Sequence, residues 1–332
     1  MGTTLVMGAS GFLGSHVTRQ LVQRGDAVRV WIRGSSSTRA FDDLDVEVCR
    51  GDLGDGNALR EAMRGVDTIF YCVVDARAWL RDPSPLFETN VHALRGVLEA
   101  AVAVGAPRFV FCSSTVTIAI AEPGPATEDL RHNWAHLGGP YVASRIAAEE
   151  LVLRYGREHG LPVVVLCVST TYGPGDLAPT PHGKLVAAAA HGRMPAHVRG
   201  VSMEVVGIED AARAFLLAEQ HGRAGERYII SERSMSIRDV FATAAEAGGA
   251  TPSRWGIPIS VMKVVGAAGG LVARVRRTDS VVTSTSVRLM HIQSSLDHGK
   301  ATRELGWEPS PTPDAIRAAA EFFIAAKVGA KT

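Results

Sequence analysis

The sequence predicts an α/β fold, a doubly wound parallel sheet with a smaller α/β domain beside it, on three observations. Short β-branched runs alternate with amphipathic stretches through the first half of the chain, which is the pattern of repeated βαβ units. A glycine-rich turn joins the first such run to the first helical stretch. Beyond about residue 170 the alternation breaks, with Pro174, Pro179, Pro181 and Pro195 punctuating the chain. The runs 3–7, 27–33, 46–50, 68–74, 108–113 and 162–168 read as strands, and 12–24, 58–63, 86–104 and 141–159 as helices that cover both sheet faces. Residues 1–170 form the sheet domain on this reading. Residues 171–332 form mainly the smaller domain, with some segments returning to the sheet, and an Ala-rich amphipathic helix at 313–327 closes the chain.

Composition narrows the function. With 332 residues, 46% hydrophobic and 21% charged, and a formal net charge of +1, the chain lacks the basic excess that nucleic-acid binding needs. The first apolar run passes straight into the glycine turn without the charged region, apolar core and cleavage site of a signal peptide, so a cytoplasmic protein is expected. The four cysteines, Cys49, Cys72, Cys112 and Cys167, have no metal-type spacing and read as small core residues; no metal is expected. The stretch 257–275 is the most membrane-like, but Pro258, Lys263, Gly266, Gly269, Gly270 and Arg274 interrupt it, so no integral span is expected. A packed helix is the plainer expectation there. A basic-ended helix resting on a bilayer is the sharper one.

Gly8-Ala9-Ser10-Gly11-Phe12-Leu13-Gly14 follows a strand and opens a helix, the context that makes a glycine pattern a Rossmann dinucleotide site. Gly8 allows the tight turn, Gly11 the approach of a pyrophosphate, and Gly14 the close packing of helix on strand, with Ser10, Phe12 and Leu13 completing the phosphate-facing turn. An NAD site places an acid about 20 residues beyond these glycines to hold the ribose 2′-hydroxyl. Here the second strand ends in Arg33, and from Ala27 to Ala40 there is no acid. Arg33 and Ser36 suit a 2′-phosphate, so NADP(H) is expected, with NAD possible. Asp52 and Leu53 close the third strand at the level of an adenine ring. Asp52 is read either as an adenine partner or as the N-cap of helix 58–63.

Ser113-Ser114-Thr115 ends the fifth strand, at the edge where open α/β sheets place their chemistry. Tyr141 begins a helical stretch and Arg145 follows one turn later on the same face. A phenol is a poor base at neutral pH, but a nearby cation favours the phenolate. Helix-surface Tyr/Arg pairs are common, and a purely structural role stays open on the residues alone.

Eight segments in order resemble the extended short-chain dehydrogenase/reductases, the NAD-dependent epimerase/dehydratase family: 8–14, 51–53, Asn90-Val91, Ser113-Ser114, 141–145, 172–176, 208–212 and 300–307. Within that group the chain is most similar to the branch of dihydroflavonol reductases, 3β-hydroxysteroid dehydrogenases and hopanoid-associated sugar epimerase-like proteins, the last through 75–83 and 175–181. The resemblance implies Tyr141 as acid/base, Ser114 as the hydroxyl that holds the substrate oxygen, and position 145 as ligand of the nicotinamide ribose. It also implies Cys72, Val73 and Val168 beside the cofactor. The family has Lys where this chain has Arg145, and small residues where it has Val73-Val74, and many relatives have Arg-Pro at Val168-Ser169. A planar guanidinium does not replace a compact ammonium without consequence.

Specificity is expected from Trp79, Ser114, Val116, Trp134, Tyr172, Met194 and His197, and its character is mixed. Trp79, Val116, Trp134 and Met194 suggest an apolar wall, whereas His197, with Arg193 and Arg199, could reach an anionic or phosphorylated group, without the set of cations in order along the chain that a diphosphate site commits. The expected function is NADP(H)-dependent interconversion of a carbonyl and a secondary alcohol on a moderately hydrophobic small molecule, ketone, steroid-like or flavonoid-like. A nucleotide-sugar epimerase/dehydratase with retained NAD(P), and a non-catalytic dinucleotide-binding protein, are the alternatives. The resemblance further implies a homodimer built on the helices 86–104 and 141–159.

Overall fold

The computed structural model describes residues 2–105, 107–121, 123–276, 278–280, 283–290 and 294–329, without the side chains of residues 272, 274 and 327–329. The chain begins β1 (Thr3–Met7), α1 (Phe12–Arg24), β2 (Ala27–Ile32), β3 (Glu47–Arg50), α2 (Gly56–Met63) and β4 (Thr68–Tyr71). Helices α3 (Ser84–Phe87) and α4 (Ala93–Ala103) are joined by a π-helical turn over Glu88–His92; β5 (Arg108–Ser114), α5 (Ala135–His159) and β6 (Val163–Val168) follow. The second half holds β7 (Thr170–Tyr172), α6 (Pro181–Ala190), β8 (Ala196–Val198), β9 (Ser202–Gly207), α7 (Ile208–His221), β10 (Arg227–Ile230) and β11 (Arg233–Ser236). It ends with α8 (Ile237–Ala247), β12 (Trp255–Ile257), α9 (Ile259–Arg276), α10 (Ser284–Leu289), α11 (Gly299–Leu305) and α12 (Thr312–Gly329).

The main sheet has seven strands in the order β10-β6-β5-β4-β1-β2-β3, and every pairing within it is parallel. Parallel strands covered on both faces are near-continuously apolar, and successive side chains go to opposite faces. Both features are visible in β5 and β6. Phe109, Phe111, Val163, Val165 and Cys167 join a core with Leu94, Leu98, Ala148 and Val152 of α4 and α5. Val110, Val164, Leu166 and Val168 join the opposite core, with Val17 and Leu21 of α1 and Phe215 of α7. Trp307, fully buried after α11, belongs to that second core, and its indole Nε1 donates to the Asp210 carbonyl at 2.9 Å. A C-terminal segment thus returns to the sheet, as does β10.

A third core gathers Tyr172, Val186, Val205, Val240, Phe241, Ile316 and Phe323, over a three-stranded sheet β11-β9-β7; a two-stranded sheet β12-β8 lies apart from it. The sheet order reverses direction between β1 and β4, and such a switch point opens the crevice in which doubly wound sheets bind their ligands.

Three expectations need correction. The N-cap of α2 is Asp55, whose carboxylate accepts from the amides of Asn57 and Ala58, and Asp52 instead accepts from Gly54 N in a local turn at 2.8 Å. The single helix over 86–104 is interrupted by the π turn centred on Asn90. The helix in 257–275 is formed, but it is not packed in the ordinary sense: Gly266 and Ala273 face inward while most of its larger apolar side chains face solvent. None of the helices among the described residues is long and apolar enough to cross a membrane.

Candidate active site

Gly8 has φ 92°, a left-handed conformation that favours glycine. A Cβ there would lie 3.0 Å from the Cys72 carbonyl carbon and 3.1 Å from the Val73 amide, so the β1–α1 turn is pressed against the end of β4, at the switch point itself. At Gly14 a Cβ would come within 2.2 Å of the Gly8 carbonyl oxygen, which leaves glycine as the one residue that lets α1 start this close to its strand. Gly11 caps α1 with no side-chain hydrogen bond, and the first turn carries no acid. The unfulfilled amides of the first helical turn, over Phe12, Leu13 and Gly14, therefore suit an anion. Ser10 is half-buried and Gly11 exposed at this mouth.

Arg33 follows the last residue of β2 directly, is exposed, and makes no ion pair with any described residue. Arg50 donates to the carbonyls of Gly34 and Ser36, both at 3.2 Å, and so holds the loop that carries Ser36. Leu53 packs against the first core. Cys72, Val73 and Val168 lie at the C-terminal ends of β4 and β6; Val168 is buried, while Cys72 and Val73 are half-buried.

The helix that carries the tyrosine is broken at Gly139, with φ 70° and ψ −171°. Pro140 then starts the continuous helix, a position where its missing N–H is no loss, and Tyr141 falls in the first turn. Ser114, the last residue of β5, reaches the same point: its hydroxyl accepts from Val116 N at 3.4 Å and is a hydrogen-bond partner of the Tyr141 phenol. Burial pushes the Tyr141 phenol above its ordinary value, Asp75 adds to the rise, and the Arg145 charge and the Ser114 hydroxyl pull it back only in part. A neutral phenol at physiological pH is the result, a proton donor in the resting protein.

Arg145 is 1% exposed. Its guanidinium donates to the Cys112 carbonyl at 2.5 Å and lies over the Phe111 ring at 5.5 Å from the centroid. Its Nε is buried without a partner, and no carboxylate among the described residues pairs with it. Arginine cannot shed its charge in a protein, and an isolated buried cation is costly. Its charge favours ionisation of the neighbouring Tyr141 phenol, although burial still keeps that phenol protonated. This orphaned donor, the small-residue cradle at Gly8 and Gly14 and the uncapped start of α1 together fit a dinucleotide laid along the crevice.

Three sets of contacts at the site are not given by the sequence, although Asp75 and Asn90 stand in segments it singles out. Asp75, buried at the end of the β4 loop, pairs with Arg77; burial pushes its carboxyl up, yet Arg77, aided by Arg33, holds it below the ordinary range. Asn90, in the π turn, accepts from Asp75 N at 2.8 Å and donates to the Asp75 carbonyl at 3.0 Å and to Ser144 Oγ at 3.1 Å. It thereby ties the β4 loop to the residue beside Arg145, and π turns of this sort are common at functional sites. Beneath the site Glu149 accepts from Ser113 and from Thr117 (2.7 Å) and pairs with Arg227 Nε at 2.7 Å. Asn90 stands in a recognisable motif, but the pairing of Glu149 with Arg227 joins residues far apart in sequence and leaves no local signal.

The expected substrate residues do not all converge. Trp79 lies half-buried in the β4 loop and Val116 half-buried beside Ser114. Trp134 is buried, and its Nε1 donates to the Ile118 carbonyl at 2.8 Å, which makes it a support of the segment before α5. Tyr172 is buried in the third core with its hydroxyl 3.2 Å from Met203 Sδ, Met194 packs on that core, and His197 is buried on β8. Their described contacts lie within the second half of the chain. A separate groove of about 460 Å³, lined by Arg29, Trp31, Glu47 and Cys49 among others, contains none of the Ser114–Tyr141–Arg145 group.

Comparisons with known proteins agree with this geometry. The model of the NAD dependent epimerase/dehydratase family matches residues 4–231. The chain is 31% identical to sterol demethylase protein B of Methylococcus capsulatus over 97% of this chain and 98% of that protein. It is 28% identical to a putative dihydroflavonol 4-reductase of Synechocystis over 96% and 93% respectively. Among solved structures, that of gox2253 superposes with a TM-score of 0.87 at 31% identity, covering 98% of this chain and 99% of the other. With the glycine turn at the switch point and Ser114, Tyr141 and Arg145 gathered at the end of β5, these matches establish that the chain belongs to the NAD-dependent epimerase/dehydratase family of extended short-chain dehydrogenase/reductases, enzymes that work with NAD(P).

Proposed function

We propose that the protein is an NADP(H)-dependent oxidoreductase that interconverts a carbonyl and a secondary alcohol on a moderately hydrophobic molecule. The observation that carries this reading is the cluster in which a protonated Tyr141 phenol, the Ser114 hydroxyl and the buried Arg145 cation meet at the C-terminal edge of β5. The nicotinamide, when bound, supplies or accepts the hydride. Ser114 Oγ holds the substrate oxygen, and Tyr141 Oη gives that oxygen its proton in reduction and takes it in oxidation. Arg145 fixes the polarity of the site and binds the ribose with whatever donors the Cys112 carbonyl leaves free.

The names of the relatives, a sterol demethylase component and dihydroflavonol reductases, support a fused-ring or aromatic ketone as substrate class, and Trp79 and Val116 offer it apolar contact. Tyr172, Met194 and His197 would act from the second half of the chain. We further propose a cytoplasmic homodimer formed through α4 and α5.

Cofactor preference follows from Arg33. A 2′-phosphate held by a guanidinium gains a charge-assisted contact of about 1.5–3 kcal/mol, so Arg33→Asp should shift the NADPH/NADH affinity ratio toward NADH by roughly ten- to a hundredfold. Calorimetry on both proteins checks this, and equal affinities in the unmodified protein would remove the NADP assignment.

Direction and pH are linked through Tyr141. Reduction needs the protonated phenol and oxidation the phenolate, so the reductive rate should hold through neutral pH and fall at alkaline pH, while the oxidative rate rises there. Arg145 lowers the phenol's pKa. Arg145→Met should therefore move both profiles to higher pH and depress oxidation at pH 8 more than reduction at pH 6. Unchanged profiles in that variant would show that Tyr141 is not tuned from this position.

A further inference from the structure

The exposed apolar side chains of the protein are concentrated in one excursion, β12–α9–α10. Trp255 is 79% exposed, Val264 70%, Leu271 62% and Val275 75%. With Val261 and Val265 they follow helical spacing from 261 to 275, and at 100° per residue Val261, Val264, Val265, Leu271 and Val275 of α9 fall on a single stripe. An ordinary surface helix turns its apolar stripe to the core. Here the stripe faces outward, and the inward face is made of small residues: a Cβ on Gly266 would stand 2.9 Å from the Thr283 carbonyl oxygen and 2.9 Å from Val287. Close seating of α9 on α10 thus forces the bulky residues outward.

Charge is concentrated in the same place. Between Thr251 and Met290 the sequence holds Arg254, Lys263, Arg274, Arg276, Arg277 and Arg288 against one acid, Asp279. That local net of +5 sits in a chain whose total is +1, so the remainder is negative. Lys263 and Arg276 are exposed towards the two ends of α9, and Arg254 and Arg288 are exposed before and after it. An exposed apolar stripe accompanied by cations, with a tryptophan ahead of it, is what an anionic lipid surface recognises: the stripe enters the acyl boundary and the cations meet the head groups. A soluble protein partner would need acidic and apolar groups interleaved. No described helix can span a bilayer, so α9 would lie in the plane of the interface along its length of about 27 Å.

We propose that α9 docks the protein peripherally on anionic lipid membranes. The excursion also adjoins the candidate active site. Arg288 donates to the Leu137 carbonyl at 3.5 Å, Thr285 faces Gly139 just before Tyr141, and Asp279 accepts from Arg81 N at 2.9 Å. Docking through α9 therefore brings the segment preceding Tyr141 and the β4 loop close to the lipid surface.

The test is vesicle co-sedimentation of the full chain with phosphatidylglycerol/phosphatidylcholine vesicles and with pure phosphatidylcholine vesicles. Binding to the anionic vesicles that weakens with added salt is expected. Lys263→Glu should weaken it by roughly thirtyfold, two charges' worth at about a factor of five each, and Val264→Asp with Leu271→Asp should abolish it. Both variants should keep NADPH affinity, which shows that they fold. No binding to anionic vesicles, equal binding to both vesicle types, or a soluble wild-type dimer that the Val264→Asp/Leu271→Asp variant converts to monomer would each overturn the proposal, the last by assigning the stripe to a second copy of the chain.

Discussion

Replacing Tyr141 by Phe should lower turnover by about 10²–10⁴-fold, the usual contribution of a positioned acid/base, with dinucleotide affinity within a few fold of the parent. The expectation rests on how little else at the site can move a proton. Ser114 is a hydroxyl engaged with Val116 N and Tyr141, Arg145 cannot deprotonate, and Asp75 is held ionised by Arg77. Loss of the hydroxyl leaves the fold intact, because the ring remains and the Tyr141 carbonyl still accepts from Ser144 Oγ at 2.8 Å. Steady-state rates and a calorimetric titration with NADPH check the two halves separately. A Phe variant with parental turnover would hand the proton transfer to another group.

Stability should depend most on the pair beneath the site. Arg227→Met leaves the Glu149 carboxylate buried without its cation, a change that typically destabilises by about 3–5 kcal/mol. Arg227 also donates to the carbonyls of Glu128 at 3.0 Å and Thr117 at 3.2 Å, so the replacement frees two acceptors as well. The double replacement Arg227→Met with Glu149→Leu removes charge and counter-charge together and should recover much of the loss. Thermal or chemical denaturation of the two variants checks this. A single variant as stable as the parent would mean that Glu149 finds another partner or a proton.

The limits of the sequence reading have physical causes. β1 and α1 are legible to the residue because a β-branched run, a glycine turn and an amphipathic helix each give a local signal. The start of the helix at Tyr141 is legible too, since Gly139 takes a left-handed φ and Pro140 fits only the first turn. The π turn at Glu88–His92 is not, because one extra residue in a helical turn barely disturbs hydrophobic periodicity. Asp52 and Asp55 are equally good caps by residue type, and the start of α2 at Gly56 makes Asp55 the one that is used. In the candidate site, Gly8, Gly14, Ser114, Tyr141 and Arg145 are marked by motif and spacing. The partners of Arg145 and the Glu149–Arg227 pair depend on tertiary packing. For α9, composition announces an apolar helix but periodicity does not say which face is turned to water; the close approach of Gly266 to Thr283 and Val287 decides that.

The central claim, net carbonyl–alcohol redox chemistry with NADP(H), is tested most directly by cofactor stoichiometry. The purified protein is given NADPH deuterated at nicotinamide C4 and a panel of hydrophobic ketones, including flavanonols and keto-steroids, and the products are analysed by mass spectrometry. The account predicts one NADPH oxidised per carbonyl reduced, deuterium on the new carbinol carbon, and loss of both in Tyr141→Phe. Turnover of a nucleotide sugar with no net consumption of cofactor would contradict it and make the protein an epimerase or dehydratase.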